Sequence, residues 1–318
     1  MGAEMKIKRL RVGVLDVESG HLHGTWLEDQ LQTKHKEIKI ALQALGAKKR
    51  RSRKTPMGVS IPVRAFFSEP IYEALIAKKI DIGVHRMKDL PSTLPPGVEL
   101  AAIVERKTPL DVLITGNDMI LDDLPDGSRI GVSSLRRQAQ LSRYRPDLEL
   151  EFVIGSLTER LQTVDAGRLS GIVVAASGIE WRGWQDRVSE VFTTQVCIPA
   201  VGQAALGLLV RSKEQELINA VKFLNHPLSA CEVKAERAFH SALGAWEGAP
   251  VGALGRVKGD ILRVEGCVCS LDGKRVIRGL VEGFPDDPDR TGERLANDLL
   301  IQGADEILAE NGNNGDEG

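Results

Sequence analysis

The 318-residue chain has little of several things that would mark a specialised class of protein. Four cysteines in this length are too few for a disulfide framework, and they fit a reducing cytoplasm best. Neither charge dominates: 42 basic against 44 acidic residues leave a net charge of −2, so no global field draws the chain to nucleic acid or to a membrane surface. No apolar run approaches the roughly 20 residues needed to cross a bilayer. The opening residues Met1-Gly2-Ala3-Glu4-Met5-Lys6 contain no apolar stretch of the kind a secretory signal requires. What is present, 42% hydrophobic and 27% charged residues, has the balance of a soluble globular protein, and the length predicts two or three domains.

Two local features invite special readings. Cys267 and Cys269 share one face of an alternating stretch, which suits half a metal site or small residues filling a sheet face. With no Cys or His cluster nearby in sequence, packing is the expectation. The basic run Lys48-Lys49-Arg50-Arg51-Ser52-Arg53-Lys54 could attract phosphate. Aromatics are scarce (4%) and none interleaves with this run, so a solvated, mobile loop is expected and nucleic acid is not expected as a partner.

Along the chain, apolar strand-like runs alternate with helical ones. Residues 9–15, 37–42 and 80–84 read as strands, with helices over 22–32 and 65–78. Pro70 must then sit near the start of the second helix. The pattern restarts after residue 109, with strands at 111–115, 128–132, 148–154 and 171–176 and helices at 135–144 and 157–166. This βαβ order predicts two α/β domains with mainly parallel sheets, and a ligand cleft between them at the carboxyl ends of the strands. From about residue 226 the texture changes to a helix over 231–243 and then alternating strands over 251–282, with Asp272-Gly273 as a hairpin turn. A last helix is expected over 290–310. A polar, Gly-rich tail at 311–318 reads as disordered.

Two segments carry chemistry. Lys88 and Asp89 follow the strand 80–84, at its carboxyl end. A desolvated carboxylate there could stabilise a cation or move a proton; it could equally cap a turn or pair with Lys88 or Arg86. In Ser133-Ser134-Leu135-Arg136-Arg137-Gln138 a strand ends, the serines can cap a helix, and two arginines occupy its first turn. Cations are disfavoured at a helix N-terminus, so Arg136 and Arg137 make best sense if an anion neutralises them. Guanidinium forks suit carboxylates.

Val84-His85-Arg86-Met87-Lys88-Asp89-Leu90-Pro91 and Gly131-Val132-Ser133-Ser134-Leu135-Arg136-Arg137-Gln138 resemble the catalytic and substrate-binding segments of the porphobilinogen deaminase (hydroxymethylbilane synthase) family. Further matches are Ala175-Ala176-Ser177-Gly178-Ile179, Ile198-Pro199-Ala200-Val201-Gly202-Gln203-Ala204-Ala205-Leu206 and Ala235-Glu236-Arg237-Ala238-Phe239. The resemblance as a whole runs in order over roughly residues 9–280. The resemblance implies two periplasmic-binding-protein-like (type II) α/β domains, 1–106 with 200–222 and 107–199, plus a small α+β domain at 226–310. It implies a cytoplasmic transferase of tetrapyrrole biosynthesis that condenses four porphobilinogens head to tail with release of ammonia. Asp89 would be its catalytic aspartate, beside Lys88. Ser133, Ser134, Arg136, Arg137, Arg160 and Arg64 would bind the substrate's carboxylates. The expected partner is a small pyrrole or carboxylate ligand, with no membrane involved.

The pattern also breaks. The family carries a dipyrromethane primer on a cysteine, but Leu243-Gly244-Ala245-Trp246-Glu247-Gly248-Ala249-Pro250-Val251-Gly252 has none and puts Glu247 in its place, so no covalent cofactor is expected. A strand arginine of the family is Leu15, followed by Asp16. The first arginine of its Arg-Gly-Asn-Val pattern is Ile154, a lysine is Glu69, and the serine before Met-Lys-Asp is Arg86. Trp181, Trp184 and Trp246 are additions that fill vacated space or pack elsewhere. These departures imply an altered or lost covalent-primer mechanism. The alternative is a non-polymerising relative that binds or modifies a pyrrole or another small carboxylate.

Overall fold

The computed structural model describes residues 7–46, 52–54, 60–62, 68–246 and 248–313. In chain order the elements are strand β1 (Arg9–Leu15), helix α1 (Glu18–Lys34), β2 (Lys39–Leu45), β3 (Ser52–Lys54), β4 (Ser60–Pro62), α2 (Glu69–Ile76), β5 (Ile82–Arg86), β6 (Val98–Ile103), β7 (Asp111–Thr115) and β8 (Arg129–Val132). There follow α3 (Leu135–Tyr144), β9 (Glu149–Phe152), α4 (Leu157–Asp165), β10 (Gly171–Ala175), α5 (Ala176–Glu180), β11 (Glu190–Val191), β12 (Leu206–Arg211) and α6 (Gln215–Val221). The chain continues through α7 (Pro227–Ala242), β13 (Val251–Lys258), β14 (Ile261–Cys269), β15 (Val276–Gly283), α8 (Pro288–Ile301) and α9 (Ala304–Asn313). Two compact units result: one takes residues up to 51, 62–106 and 205–230, the other 52–61, 107–204 and 231 onward.

The first unit is built on a five-stranded sheet of order β2-β1-β5-β12-β6. Strand β1 runs parallel to β2 and β5, whereas β12 is antiparallel to β5 and β6. The stretch 200–222, expected to belong with the first α/β domain, contributes the strand β12 to this sheet before the helix α6. Leu206-Gly207-Leu208-Leu209-Val210 is a short apolar run of the kind that periodicity alone cannot assign. Pro70 sits in the first turn of α2, where its missing N–H costs nothing. That helix starts at Glu69, and the earlier part of the helix read over 65–78 reaches outside the described residues.

In the second unit the sheet order is β11-β7-β10-β8-β9. The plan of the first sheet recurs: β8, β9 and β10 are parallel, and β7 enters antiparallel beside β10. Alternation along the strands divides its core. Leu113, Ile130, Val132 and Val173 pack on one face with Leu141 and Phe192, and Val112, Ile114, Ile172 and Val174 pack on the other with Leu157 and Ile179. Strands covered on both faces read as continuous apolar runs, as these do.

The antiparallel sheet β13-β14-β15 belongs to the same unit. One face carries Leu262, Val264 and Val268 against Phe239, Leu295, Leu299 and Ile307 of the helices α7, α8 and α9. The other face buries Cys267 and Cys269 with Ala139 of α3 and Ile198. The α+β region therefore has a core of its own and also shares a cluster with the α/β region before it. At the expected hairpin turn, Gly273 has φ +73° and lies so close to α3 that a Cβ would sit 2.3 Å from the Ala139 carbonyl oxygen.

Three expectations change here. The last helix is two helices, parted where Gly303 takes φ +92°, a left-handed conformation open to glycine. The tail read as disordered is helical as far as Asn313, with Asn311 buried and donating from Nδ2 to the Cys269 carbonyl at 3.0 Å; residues 314–318 lie outside the described residues. In the basic run, Ser52–Lys54 pair with β4 as a two-stranded sheet rather than a loop, and residues 48–51 lie outside the described residues. No helix among the described residues is long and apolar enough to cross a membrane.

Candidate functional site

In the first unit β5 ends at Arg86, and a single 3-10 turn, Met87–Asp89, follows it. Backbone bonds pin the turn: the Met87 N–H donates to Ala205 O at 2.9 Å and the Leu90 N–H to Met87 O at 3.2 Å. Ser68 Oγ, at the N-cap of α2, donates to the Asp89 carbonyl at 3.2 Å and touches His85 Nε2 at the same distance. Asp89 is buried, Lys88 half-buried. The carboxylate of Asp89, 5% exposed, pairs with the Arg86 guanidinium, Nε to Oδ2 at 2.5 Å. Of the readings open for Asp89, pairing with Arg86 is present in the structure, and Arg86 is the residue that departs from the resembled pattern.

The second unit gathers the serines and arginines. Ser134 is the N-cap of α3 and accepts from the Arg137 N–H at 3.3 Å. Ser133 Oγ accepts from Arg137 Nη1 and from Arg160 Nη1, both at 3.1 Å. Arg160 rises from the first turn of α4, whose N-terminus is closed by a capping box between Ser156 and Glu159, and its Nε also donates to Ser156 O at 3.3 Å. Two helix N-termini and two guanidiniums therefore converge around one hydroxyl, an arrangement suited to a carboxylate.

The anion that neutralises the α3 arginines is internal, contrary to the expectation that a ligand supplies it. Asp111, fully buried at the start of β7, pairs with Arg136 Nη1 and Arg137 Nη2, each at 2.8 Å. Burial alone would raise the carboxyl's pKa. The charges of Arg136 and Arg137 more than offset this and hold it well below the ordinary carboxylate range. Gln203 Nε2 adds a third donor at 2.9 Å. Arg136 is committed further inward, giving hydrogen bonds to Ile198 O at 2.7 Å and Cys197 Sγ at 3.1 Å. It is 4% exposed, so its role is to brace α3 against the segment around Ile198. Arg137 keeps one edge toward Ser133. Asp111 carried one faint sequence signal: a charge opening a strand of otherwise apolar residues demands a buried partner.

All four cysteines fall among the described residues, and all are free. Cys197, Cys267 and Cys269 are fully buried. Burial pushes the Cys197 thiol up to about 12. Cys231, half-buried on α7, donates to the Pro285 carbonyl at 3.3 Å. Cys267 and Cys269 pack in a buried cluster with Ala139 and Ile198, and among the described residues no His, Cys, Asp and Glu group could hold a metal ion. Arg64 and Glu247 lie outside the described residues.

The departures can also be placed. Leu15 is buried in the first core, Asp16 pairs with His21 at 2.9 Å, and Ile154 is 56% exposed. Trp246 packs against the core of the β13-β14-β15 sheet, Trp184 against that of β7 and β10, and Trp181 lies under the Lys107 ammonium at 4.8 Å. Sequence reasoning overlooked Glu236. It is fully buried on α7 and accepts from the Gly202 N–H at 2.7 Å and the Gly255 N–H at 2.8 Å.

Comparison with known proteins follows the same lines. A family model described as "Porphobilinogen deaminase, dipyromethane cofactor binding domain" matches residues 21–219, and one described as "Porphobilinogen deaminase, C-terminal domain" matches residues 230–301. A porphobilinogen deaminase of Geobacter sp. (strain M21) is 36% identical over 309 residues, 96% of either chain. That of Pelotomaculum thermopropionicum is 42% identical over 250 residues, 79% of this chain and 80% of the relative. Looser likenesses among solved structures include a putative methionine-binding lipoprotein from Bacillus subtilis (14% identity, covering 69% of this chain and 90% of that one, TM-score 0.40). Another is the periplasmic aliphatic sulphonate binding protein of Escherichia coli (15%, 74% and 70%, TM-score 0.40). With both family domains matched in order and relatives aligned along almost its whole length, the chain belongs to the porphobilinogen deaminase family.

Proposed function

We propose that this protein acts in tetrapyrrole biosynthesis as a hydroxymethylbilane synthase-type transferase relative, in a cytoplasmic setting, and that it binds carboxylated pyrroles without a thioether-anchored primer. Membership of the family supports the pathway and the reaction class. The placement of the thiols carries the altered mechanism. The segment 243–252 has no cysteine, Cys197, Cys267 and Cys269 are sealed in cores where no pyrrole can reach them, and the half-buried Cys231 lies on α7 with its thiol bonded to the Pro285 carbonyl. Glu247 stands where the anchoring cysteine is expected. A carboxylate could capture an electrophilic pyrrolic carbon only as an ester, which ionises back readily because carboxylate is a far better leaving group than thiolate. The residues present therefore do not fit a covalently held dipyrromethane.

What the residues of each unit can do follows from their placement. Ser133, Arg137 and Arg160 offer donors to a ligand carboxylate, oriented by the start of α3 and the capped start of α4. Asp89, beside Lys88, presents a buried carboxylate already paired with Arg86. With Leu15 and Ile154 in place of arginines, fewer carboxylates can be held than a growing pyrrole chain would bring, which favours the non-polymerising form of this reading. Denaturing mass spectrometry of protein purified from a porphobilinogen-producing host tests it. The expected mass is that of the bare polypeptide, with no Ehrlich colour and no ammonia released from added porphobilinogen. A stable mass increase equal to a dipyrromethane would refute the proposal.

A further inference from the structure

We infer that Arg86 sets ligand specificity at Asp89, turning the position from one that receives a cationic pyrrole into one that receives a pyrrole carrying carboxylates but no ammonium group. This rests on the pyrrole reading proposed above. A buried carboxylate must be matched by positive charge. Where a serine precedes Met-Lys-Asp, as in the pattern this segment resembles, that residue supplies none and a cationic ligand can contribute it. Here the chain brings its own.

The pairing is built into the local geometry. Arg86 is the last residue of β5, held opposite Leu206 of β12, and its carbonyl accepts a hydrogen bond from His85 Nδ1 at 3.0 Å. Asp89 closes the 3-10 turn that follows, its carbonyl held by Ser68 Oγ. Side chains three apart across such a turn lie one above the other, so a long cationic side chain at position 86 falls onto the carboxylate at 89. The two differ in exposure, 40% for the Arg86 side chain against 5% for that of Asp89. An incoming ligand therefore meets the guanidinium before the carboxylate. An ammonium group at that point is repelled by a like charge and finds its counter-ion taken, while a ligand carboxylate or a neutral pyrrole face is not penalised.

The test compares equilibrium binding of two probes at pH 7 by calorimetry: porphobilinogen, and the same pyrrole with a methyl group replacing the aminomethyl group. The proteins are wild type, Arg86→Ser and Arg86→Lys, each confirmed folded by its circular dichroism spectrum. Wild type is expected to prefer the methyl probe by about tenfold or more, the scale of one contact to a charged group. Arg86→Ser should reverse the preference, and Arg86→Lys should keep its direction. Loss of packing alone would weaken both probes together and leave their ratio unmoved. A ratio unchanged in Arg86→Ser would overturn the role given to Arg86 and leave the pyrrole reading standing. Failure of all three proteins to bind either probe would overturn both. Ammonia release by wild type, read separately, bears on the proposed function and not on the ratio.

Discussion

Asp111 offers the sharpest test of the physical reasoning. Its carboxylate is fully buried, takes two guanidiniums at 2.8 Å and a Gln203 amide at 2.9 Å, and replacing it with asparagine removes the charge while nearly preserving the shape. Arg136 and Arg137, 4% and 5% exposed, would remain as buried cations facing each other. Each pair is worth about 4 kcal/mol at an effective dielectric near 20, most of it spent on desolvation. Removing one partner of a buried pair costs about 3–5 kcal/mol, because the uncompensated charge stays behind. For a unit of this size that is a fall in Tm of roughly 6–20 °C, readable by calorimetry or circular dichroism. The pH dependence has a definite sign. The Asp111 pKa is depressed in the folded state, so its stabilisation is fully present above the unfolded value of about 3.9 and is lost as pH falls through the folded one. Asp111→Asn should flatten this acid limb of a stability-against-pH curve. A loss under about 1 kcal/mol with the acid limb intact would mean that the arginines draw their countercharge from elsewhere, and the account of α3 would fail.

Three further outcomes are expected. Arg160→Ala should weaken binding of a carboxylated pyrrole about 10- to 100-fold, the range for one charge-assisted contact. Because Arg160 is half-buried, the urea midpoint should hardly move; equal affinity for mutant and wild type would remove Arg160 from the site. Gly273→Ala places a Cβ against the Ala139 carbonyl at a positive φ, and should cost more than about 1 kcal/mol in urea unfolding. A neutral result would show that the β14–β15 turn does not bear on α3. Glu236→Gln gives up a charged acceptor of two buried N–H groups, and a loss of about 1.5–3 kcal/mol is expected, with unchanged stability counting against its bracing role.

Much of this protein is written locally. Apolar runs flanked by helical periodicity foretold β1, β5, β7, β8 and β10 and the helices between them, because a strand covered on both faces must be apolar along its whole length. The capping Ser134 before α3 and the Asp272-Gly273 turn were legible for the same reason: each acts within a few residues of itself. That 243–252 contains no cysteine, and that positions 15 and 154 are Leu15 and Ile154, also needed nothing beyond the order of residues.

Other properties arise only when distant segments meet. The counter-ion of Arg136 and Arg137 lies on β7, some 25 residues earlier in the chain, and no pattern around the arginines could reveal it. Arg86 and Asp89 are three residues apart, yet the pairing followed only once the strand end and the 3-10 turn fixed their side chains on one side. Gly303 split the last helix because a lone glycine in a helical pattern is compatible with either outcome until packing selects one. Sequence alone determined the family, the periodicity of the sheets and which chemical groups are available. Tertiary structure decided which of those groups are used up inside the protein and which remain to meet a ligand, because charge compensation in a buried setting depends on distance in space and not on distance along the chain.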